Sequence, residues 1–263
     1  MRMRRRADGD AGPGTGGLTA WQLLPFGCLL LASLSSAAFE TAHMHLPTDF
    51  AGAARYLPVD GLGGSTRGEF RFGDYSGTFT RTESRLAIFE PLYENQRAGS
   101  TFTVSGARIP EPVSGVCRAR KQSVQVGIVT LDPERMTYSC EFRQSAVPLE
   151  ATFLLGQPRP DTARSALLAQ ARRVGEARFG AVAITIRSEH RYQGTPLESD
   201  TPVGYLLERE GRLVAAVELT DVNPGVYLSP NIGENLEAAV VLAVLPLAVL
   251  WDPDESMLDD EFD

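Results

Sequence analysis

A chain of 263 residues, 43% of them hydrophobic, is long enough to build one sizeable core or two small ones. Its net charge of −8 repels phosphate backbones, so nucleic-acid binding is not expected. The sequence contains no Walker A loop, HExxH pair, GxSxG elbow or CxxC motif. It therefore carries no familiar catalytic signature, and it implies no cofactor.

The first segment, residues 1–38, is predicted to be a secretory signal peptide. Four arginines precede an apolar stretch at residues 23–32. Ser36 and Ala38 then fit the −3 and −1 positions of a signal-peptidase site. Cleavage there would make Phe39 the first residue of a periplasmic or secreted protein.

Two alternatives to cleavage stay open. Cys28 could be the lipidated cysteine of a lipoprotein, although Pro-Phe-Gly before it is a poor lipobox. Residues 18–39 could instead remain uncleaved and anchor the protein in a membrane. The protein would then be membrane-attached rather than free.

The exported part is predicted to begin with a flexible lead-in, residues 39–65, followed by a single β-rich domain, residues 66–252. Phe70 and Phe72 alternate with charged residues before a glycine-containing turn, which indicates a hairpin with one solvated face. Residues 101–105 show the same alternation.

The middle of the chain predicts a disulfide. Met136, Tyr138, Cys140 and Phe142 share one face of a strand that should point inward. If Cys28 leaves with the signal peptide, Cys117 and Cys140 form an even pair in an exported chain. Their bond would close a loop of about 24 residues and stabilise the fold by about 3 kcal/mol. Two buried free thiols are the alternative.

An amphipathic helix is predicted between Asp161, a good N-cap, and Gly175, a good C-terminal residue. Strands are then expected at residues 180–187, 203–208 and 213–219, the last two joined by a turn at Gly211, and at residues 225–228.

The last apolar run, residues 238–251, has no charged residue and is hydrophobic on every side. Such a helix is buried in a core or a membrane, and fourteen residues favour a core over a bilayer span. The residues expected to form this core helix are Leu242, Leu245, Leu250 and Trp251.

Flanking features of this helix are also predicted. Asn231 and Glu234 match a weak capping box at its start, and Pro246 should kink or break it. Residues 253–263 read as a disordered acidic tail. The expected fold is mainly β with two helices: an antiparallel β-barrel or strongly curved sheet around a C-terminal hydrophobic helix.

Two stretches carry a resemblance to a known family: GYLLEREGRLVAAVEL at residues 204–219 and NLEAAVVLAVLPLAVL at residues 235–250. Their order, a tight-turn hairpin and then a terminal apolar helix, resembles the tubby-like C-terminal superfamily of tubby, LURP-type and phospholipid scramblase proteins. The resemblance implies a closed barrel of about twelve strands around a central helix. The basic cluster with which tubby binds phosphoinositides has no counterpart, so the resemblance implies no site.

The remaining candidate chemistry is sparse. His43 and His45 could point to the same side of an extended segment and share a metal, with His190 or Asp49 as a third ligand. Solvated histidines without a metal are the favoured interpretation. Glu189 and His190 could form an acid–base pair, but neighbours on a strand face opposite ways.

The favoured function is therefore an exported, non-enzymatic protein that binds a lipid, an apolar ligand or an envelope partner. The enzyme alternative is a hydrolase or transferase whose site is built from distant loops. A third alternative is a membrane-attached structural protein of the envelope.

Overall fold

The computed structural model describes residues 42–63, 65–82, 99–121, 125–126, 129–130, 136–158, 172–196 and 198–250. Within these ranges the chain forms two helices, α1 (Thr48–Ala53) and α2 (Glu234–Val249), and fourteen strands. The strands are β1 (Arg55–Pro58), β2 (Arg67–Phe72), β3 (Tyr75–Thr82), β4 (Gly99–Gly106), β5 (Ile109–Lys121), β6 (Gln125–Val126), β7 (Val129–Thr130), β8 (Met136–Gln144), β9 (Val147–Gly156), β10 (Val174–Phe179), β11 (Val182–Glu189), β12 (Gly204–Arg209), β13 (Arg212–Glu218) and β14 (Gly225–Leu228).

Twelve of these strands form one antiparallel sheet in the order β1-β14-β13-β12-β11-β10-β9-β8-β5-β4-β3-β2. The two ends of this sheet meet, because Asp60, just past β1, pairs with Arg71 of β2 through backbone hydrogen bonds of 2.9 and 3.0 Å. The sheet is therefore a nearly closed barrel, and β6 and β7 form a separate hairpin. The predicted antiparallel barrel is confirmed.

The helix α2 runs through the interior of this barrel. It contacts β4 and β5 on one side of the sheet and β10, β11 and β13 on another. All its residues from 239 to 249 are buried; Leu242 is 7% exposed and Leu245 is 0% exposed. A helix without a polar face needs this environment, because the surrounding strands turn their apolar side chains inward on every side. The predicted core helix is confirmed, with Leu250 half-buried at its end.

Polar groups fix the point where α2 enters the barrel. Glu237 accepts a hydrogen bond of 3.0 Å from the hydroxyl of Tyr75 and lies 3.4 Å from the guanidinium of Arg55. Arg108 pairs with Glu234 at 2.6 Å. Burial, followed by the bond to Glu237, raises the pKa of Tyr75, so its hydroxyl stays a donor. Carboxylates at a helix N-terminus also interact favourably with the helix dipole.

Two features of α2 differ from expectation: the predicted capping box is wrong, and of the kink or break expected at Pro246 the break is wrong. The helix begins after an N-cap at Gly233, and no side chain caps it, so Asn231 lies two residues too early for the predicted capping box. The helix also runs past Pro246 to Val249 without a break. Because packing surrounds this turn on all sides, the loss of one backbone hydrogen bond does not end the helix.

Two boundaries also differ from the prediction. The expected lead-in, residues 39–65, contains α1 and the barrel strand β1. It shows little periodicity because β1 is only four residues long. Val174 and Gly175, expected at the end of a helix, instead begin β10 and pair with β9 and β11.

Several predictions fall outside the described residues. They are the signal peptide or anchor at residues 1–38, most of the helix at 161–175, Trp251, and the acidic tail at 253–263.

Cys117 of β5 and Cys140 of β8 lie directly opposite each other and are joined by a disulfide, with their Cα atoms 4.0 Å apart. Both side chains face the core and are at most 5% exposed. The predicted pairing is confirmed. The bond links two adjacent barrel strands across the long connection between them.

Replacing Leu245 with alanine should lower the free energy of unfolding by about 2–5 kcal/mol, because the change leaves a cavity in the tightly packed interior. Chemical denaturation of the purified protein measures this loss. Val222→Ala is the matched control, since Val222 is 71% exposed and its truncation should change stability by less than about 0.5 kcal/mol. Equal effects of the two changes would contradict a helix buried on all faces.

Reduction of the disulfide should destabilise the native fold by about 3 kcal/mol, since the opened chain regains the entropy of a loop of about 24 residues. Unfolding curves with and without a reductant provide the measurement, and the Cys117→Ser/Cys140→Ser double variant should no longer respond to the reductant. An identical midpoint for the native protein in both conditions would show that the bond contributes nothing.

Candidate binding groove at the barrel seam

The candidate site lies at the seam between the two ends of the sheet. A single residue pair, Asp60 with Arg71, joins these ends. Gly61 then turns the chain away with φ of +92°, in the left-handed region that favours glycine. A Cβ atom at Gly61 would lie 2.2 Å from the carbonyl oxygen of Glu69, so this close approach also requires glycine.

A polar groove of about 480 Å³ lies beside this seam. It is lined by residues of the seam and of β2, β3 and β4: Asp60, Gly61, Glu69, Phe70, Arg71, Ser76, Gly77, Thr78 and Ser105. Two carboxylates, one guanidinium and three hydroxyls thus converge on one concave surface.

The charged groups of the groove are available to a ligand. Asp60, Glu69 and Arg71 are exposed. Their side chains form no hydrogen bond or ion pair with any other described residue. The groove therefore offers acceptors and donors that no protein group already occupies.

Next to the groove, β3 and β4 present three directly opposed pairs of hydroxyl side chains on their outer face. We call this set the hydroxyl ladder: Ser76 with Ser105, Thr78 with Thr103, and Thr80 with Thr101. The intervening Phe79 and Phe102 point inward and are 3% and 2% exposed. Opposed side chains in such a sheet lie about 5 Å apart, and successive rungs lie about 7 Å apart.

A second polar cluster lies where residues 42–54, here called the docked segment, cover the outer face of β12–β14. The backbone N–H of His45 donates to Arg191 at 2.8 Å, and that of Gln193 donates to His43 at 2.8 Å. Met44 packs there with 2% exposure. It fits because Gly204 beneath it has no side chain; a Cβ atom would lie 2.1 Å from the Met44 sulfur.

Glu218 organises this second cluster from below. Its carboxylate is buried and accepts hydrogen bonds from the backbone N–H of Met44 and from the Tyr227 hydroxyl at 2.9 Å. The Nδ1 atom of His43 lies 3.2 Å away. Burial, together with the carboxylate of Glu218, raises the pKa of Tyr227, so this phenol remains a hydrogen-bond donor. These contacts attach the docked segment to the barrel.

The histidines singled out in the sequence do not converge. His43 contacts Glu218, and the Nδ1 atom of His45 is buried elsewhere without a described partner. Among the described residues, no group of three or more histidine, cysteine or acidic side chains is arranged to hold a metal ion. His190 and Asp49 therefore do not complete the site considered for His43 and His45.

Glu189 and His190 also point to different partners. Both oxygens of Glu189 accept hydrogen bonds of 2.9 and 3.0 Å from Arg191. Burial alone would raise the pKa of Glu189, but these bonds, with backbone N–H donors, outweigh it and hold the pKa below its usual value. His190 instead bonds the Ser188 hydroxyl through Nε2 at 2.9 Å and the Ser199 carbonyl through Nδ1 at 3.0 Å.

The fold and the two clusters define a class of protein, a helix-filled antiparallel barrel with a polar groove on its outside. Scans against protein-family models, curated proteins and solved structures found no match to this chain. Among the described residues, no helix combines the length and apolar composition needed to cross a bilayer.

Sequence reasoning missed Glu218 and every residue of the groove. Glu218 lies 175 residues from His43, and Asp60 reaches Arg71 only through barrel closure. One signal was present: serine and threonine alternate with inward-facing residues in both β3 and β4. That alternation marks a hydroxyl-bearing outer face, but it does not show that the two strands pair in register.

Replacing Tyr227 with phenylalanine should lower the free energy of unfolding by about 1–3 kcal/mol, because it removes a hydrogen bond to a buried carboxylate. Tyr56→Phe is the control. Tyr56 packs against Tyr227 with ring centroids 4.9 Å apart, but its hydroxyl makes no hydrogen bond to a described residue. Denaturant unfolding measures both variants, and a loss in Tyr56→Phe as large as that in Tyr227→Phe would argue against the role given to Glu218.

Proposed function

We propose that this protein is an exported, non-enzymatic binding protein of the cell envelope, and that it recognises its partner through the seam groove and the hydroxyl ladder. In this proposal the barrel is a rigid scaffold. The binding residues belong to strands, which hold side chains more firmly than loops do.

The observation that carries the proposal is the filled interior. Small barrels that bind lipids or other apolar molecules hold them inside the barrel. Here α2 occupies that space, and its side chains from residue 239 to 249 are buried against the strands. Of the lipid, the apolar ligand and the envelope partner considered from the sequence, a partner bound on the outside is supported best.

Two features support export. The Cys117–Cys140 disulfide is of a kind that persists in oxidising compartments. Residues 1–38 have the arginine-rich start, apolar stretch and small residues of a signal peptide. A periplasmic or secreted location is therefore part of the proposal.

The architecture also supports kinship with the tubby-like superfamily, which was expected to show about twelve strands around a C-terminal helix. This kinship remains a proposal about ancestry. It assigns no residue a function here, because the seam groove was not part of the resemblance.

Export is tested by determining the N-terminus of the protein purified from its native cells by mass spectrometry, together with cell fractionation. We expect the chain to start at or near Phe39 and to occur in the exported fraction. A chain that retains residues 1–38 in the membrane fraction would instead favour the anchored, structural alternative.

The binding surface is tested by placing a photo-cross-linking amino acid at Thr78, in the groove, and at Thr152, an exposed residue of β9, in separate variants in living cells. The groove variant should give a discrete cross-linked product that is absent from the Thr152 control. Identical patterns from the two positions would count against the seam groove as the binding surface.

A second candidate function, a hydrolase, is favoured by one specific observation. The Ser188 hydroxyl lies 2.9 Å from Nε2 of His190, and the Ser199 carbonyl orients the other ring nitrogen, as in a serine–histidine nucleophile pair. However, the backbone N–H of Arg173 also donates to the Ser188 oxygen at 2.9 Å. A serine-directed fluorophosphonate should label the native protein and not Ser188→Ala if this candidate is correct, and an unlabelled native protein would eliminate it.

A further inference from the structure

We propose that the ligand of the seam groove is a neutral glycan, a chain of uncharged sugars. This inference rests on the function proposed above and narrows it to one chemical class of partner. It follows from the kinds of polar groups that line the groove, from their charge, and from the way the hydroxyl ladder continues beyond it.

The lining groups match the hydrogen bonding of sugar hydroxyls. Each sugar hydroxyl both donates and accepts, as serine and threonine hydroxyls do. The carboxylates of Asp60 and Glu69 can each accept from two neighbouring hydroxyls, and Arg71 can donate several bonds. All three side chains are exposed and free of hydrogen bonds or ion pairs to other described residues. A polyhydroxylated ligand can therefore satisfy them.

The charge of the groove selects among such ligands. Two carboxylates and one guanidinium leave a local excess of one negative charge, on a protein whose net charge is −8. Phosphorylated, sulfated or carboxylated partners would meet repulsion at close range and over the whole surface. A neutral ligand avoids this repulsion and still makes strong hydrogen bonds to the charged groups.

The hydroxyl ladder gives the site an extension. Ser76, Thr78 and Ser105 belong to both the groove and the ladder, so the two surfaces are continuous. The remaining rungs lead across Thr103 towards Ser114 of β5, whose hydroxyl lies 3.5 Å from that of Thr103. A groove that continues into a row of hydroxyls fits an elongated chain better than a single small molecule.

A peptide partner fits this surface less well. Peptides are bound by adding a strand to an open sheet edge, or in apolar or aromatic grooves. At the seam, Gly61 packs against the Glu69 carbonyl, and Asp60 pairs with Arg71. The edge of β2 is therefore occupied at this point. The charged side chains of the lining are exposed, whereas Phe70 is turned towards the core.

The experiment measures binding of the protein purified from its native cells to neutral hexasaccharides by titration calorimetry, with cellohexaose, maltohexaose, chitohexaose and laminarihexaose as separate probes. At least one probe should bind, and its monosaccharide should bind at least tenfold more weakly. An anionic oligogalacturonate is the charge control and should not bind. Tighter binding of the anionic chain, or no binding of any neutral probe at millimolar concentration, would overturn the proposal.

Four variants locate the binding surface. Glu69→Gln replaces a charged acceptor oxygen with an amide donor, and Thr78→Val removes a hydroxyl; each keeps the side-chain size and should weaken binding by about tenfold. Glu150→Gln and Thr152→Val make the same chemical changes on the exposed face of β9, which β5 and β8 separate from β4, and should leave affinity unchanged. Melting curves confirm that all four are folded. Equal affinity in all four variants would contradict a glycan site in this groove.

The cross-linking and glycan-binding results together distinguish a failure of this inference from a failure of the proposed function. If Thr78 cross-links specifically to a protein while no glycan binds, the groove is a binding surface and the glycan assignment is wrong. If neither cross-linking nor glycan binding involves the groove, both proposals fail.

Discussion

The structure depends on burying one helix on all its sides. The helix α2 has no polar face, so a flat sheet or a single packing partner would leave half of its side chains in water. A barrel removes this problem, because every strand presents an inner face to the same axis. The same barrel would be unstable without the helix, since its inward side chains would surround an empty space. Helix and barrel therefore stabilise each other.

This mutual dependence fills most of the interior with apolar side chains. The core also contains the buried hydroxyls of Ser100 and Tyr138, which lie 2.6 Å apart and bond each other. Two of the polar clusters described above lie on the outer face, one at the seam and one around Glu218. The cluster at Glu218 is covered by the docked segment and attaches it. The seam groove is uncovered, and its charged groups remain available to a partner.

The sequence predicted what depends on local pattern. The apolar run at residues 238–251, the alternation around Phe70 and Phe72, and the even pair of cysteines each indicated their structural role directly. The errors arose where local pattern is weak. The strand β1 has only four residues and shows no recognisable alternation. Val174 and Gly175 also fit the end of an amphipathic helix, and only their pairing with β9 and β11 shows that they belong to a strand.

The candidate site could not be predicted, because its residues are brought together only by the register in which the strands pair. Pairing of β2, β3 and β4 brings Arg71 and Ser105 together, and Asp60 joins them through the bridge between the two ends of the sheet. Glu218 would be read as one more charged residue of a hairpin, because nothing near it in sequence shows that Met44 covers it. Such contacts are set by the closed barrel and by which residues face outward. No single segment of the chain contains that information.

The position of α2 in the chain also has a consequence for biosynthesis. All twelve barrel strands precede the helix that fills them, and β1 pairs with β14, the last strand made. The pairing of β1 with β14 and the packing of α2 inside the barrel therefore have to wait until nearly the whole chain has been made, whereas β2 to β13 pair with strands close to them in sequence. Until then the barrel stays open and the apolar inner face of its sheet is not covered by the helix. Closure of the barrel and filling of its core are therefore late events in the synthesis of this chain.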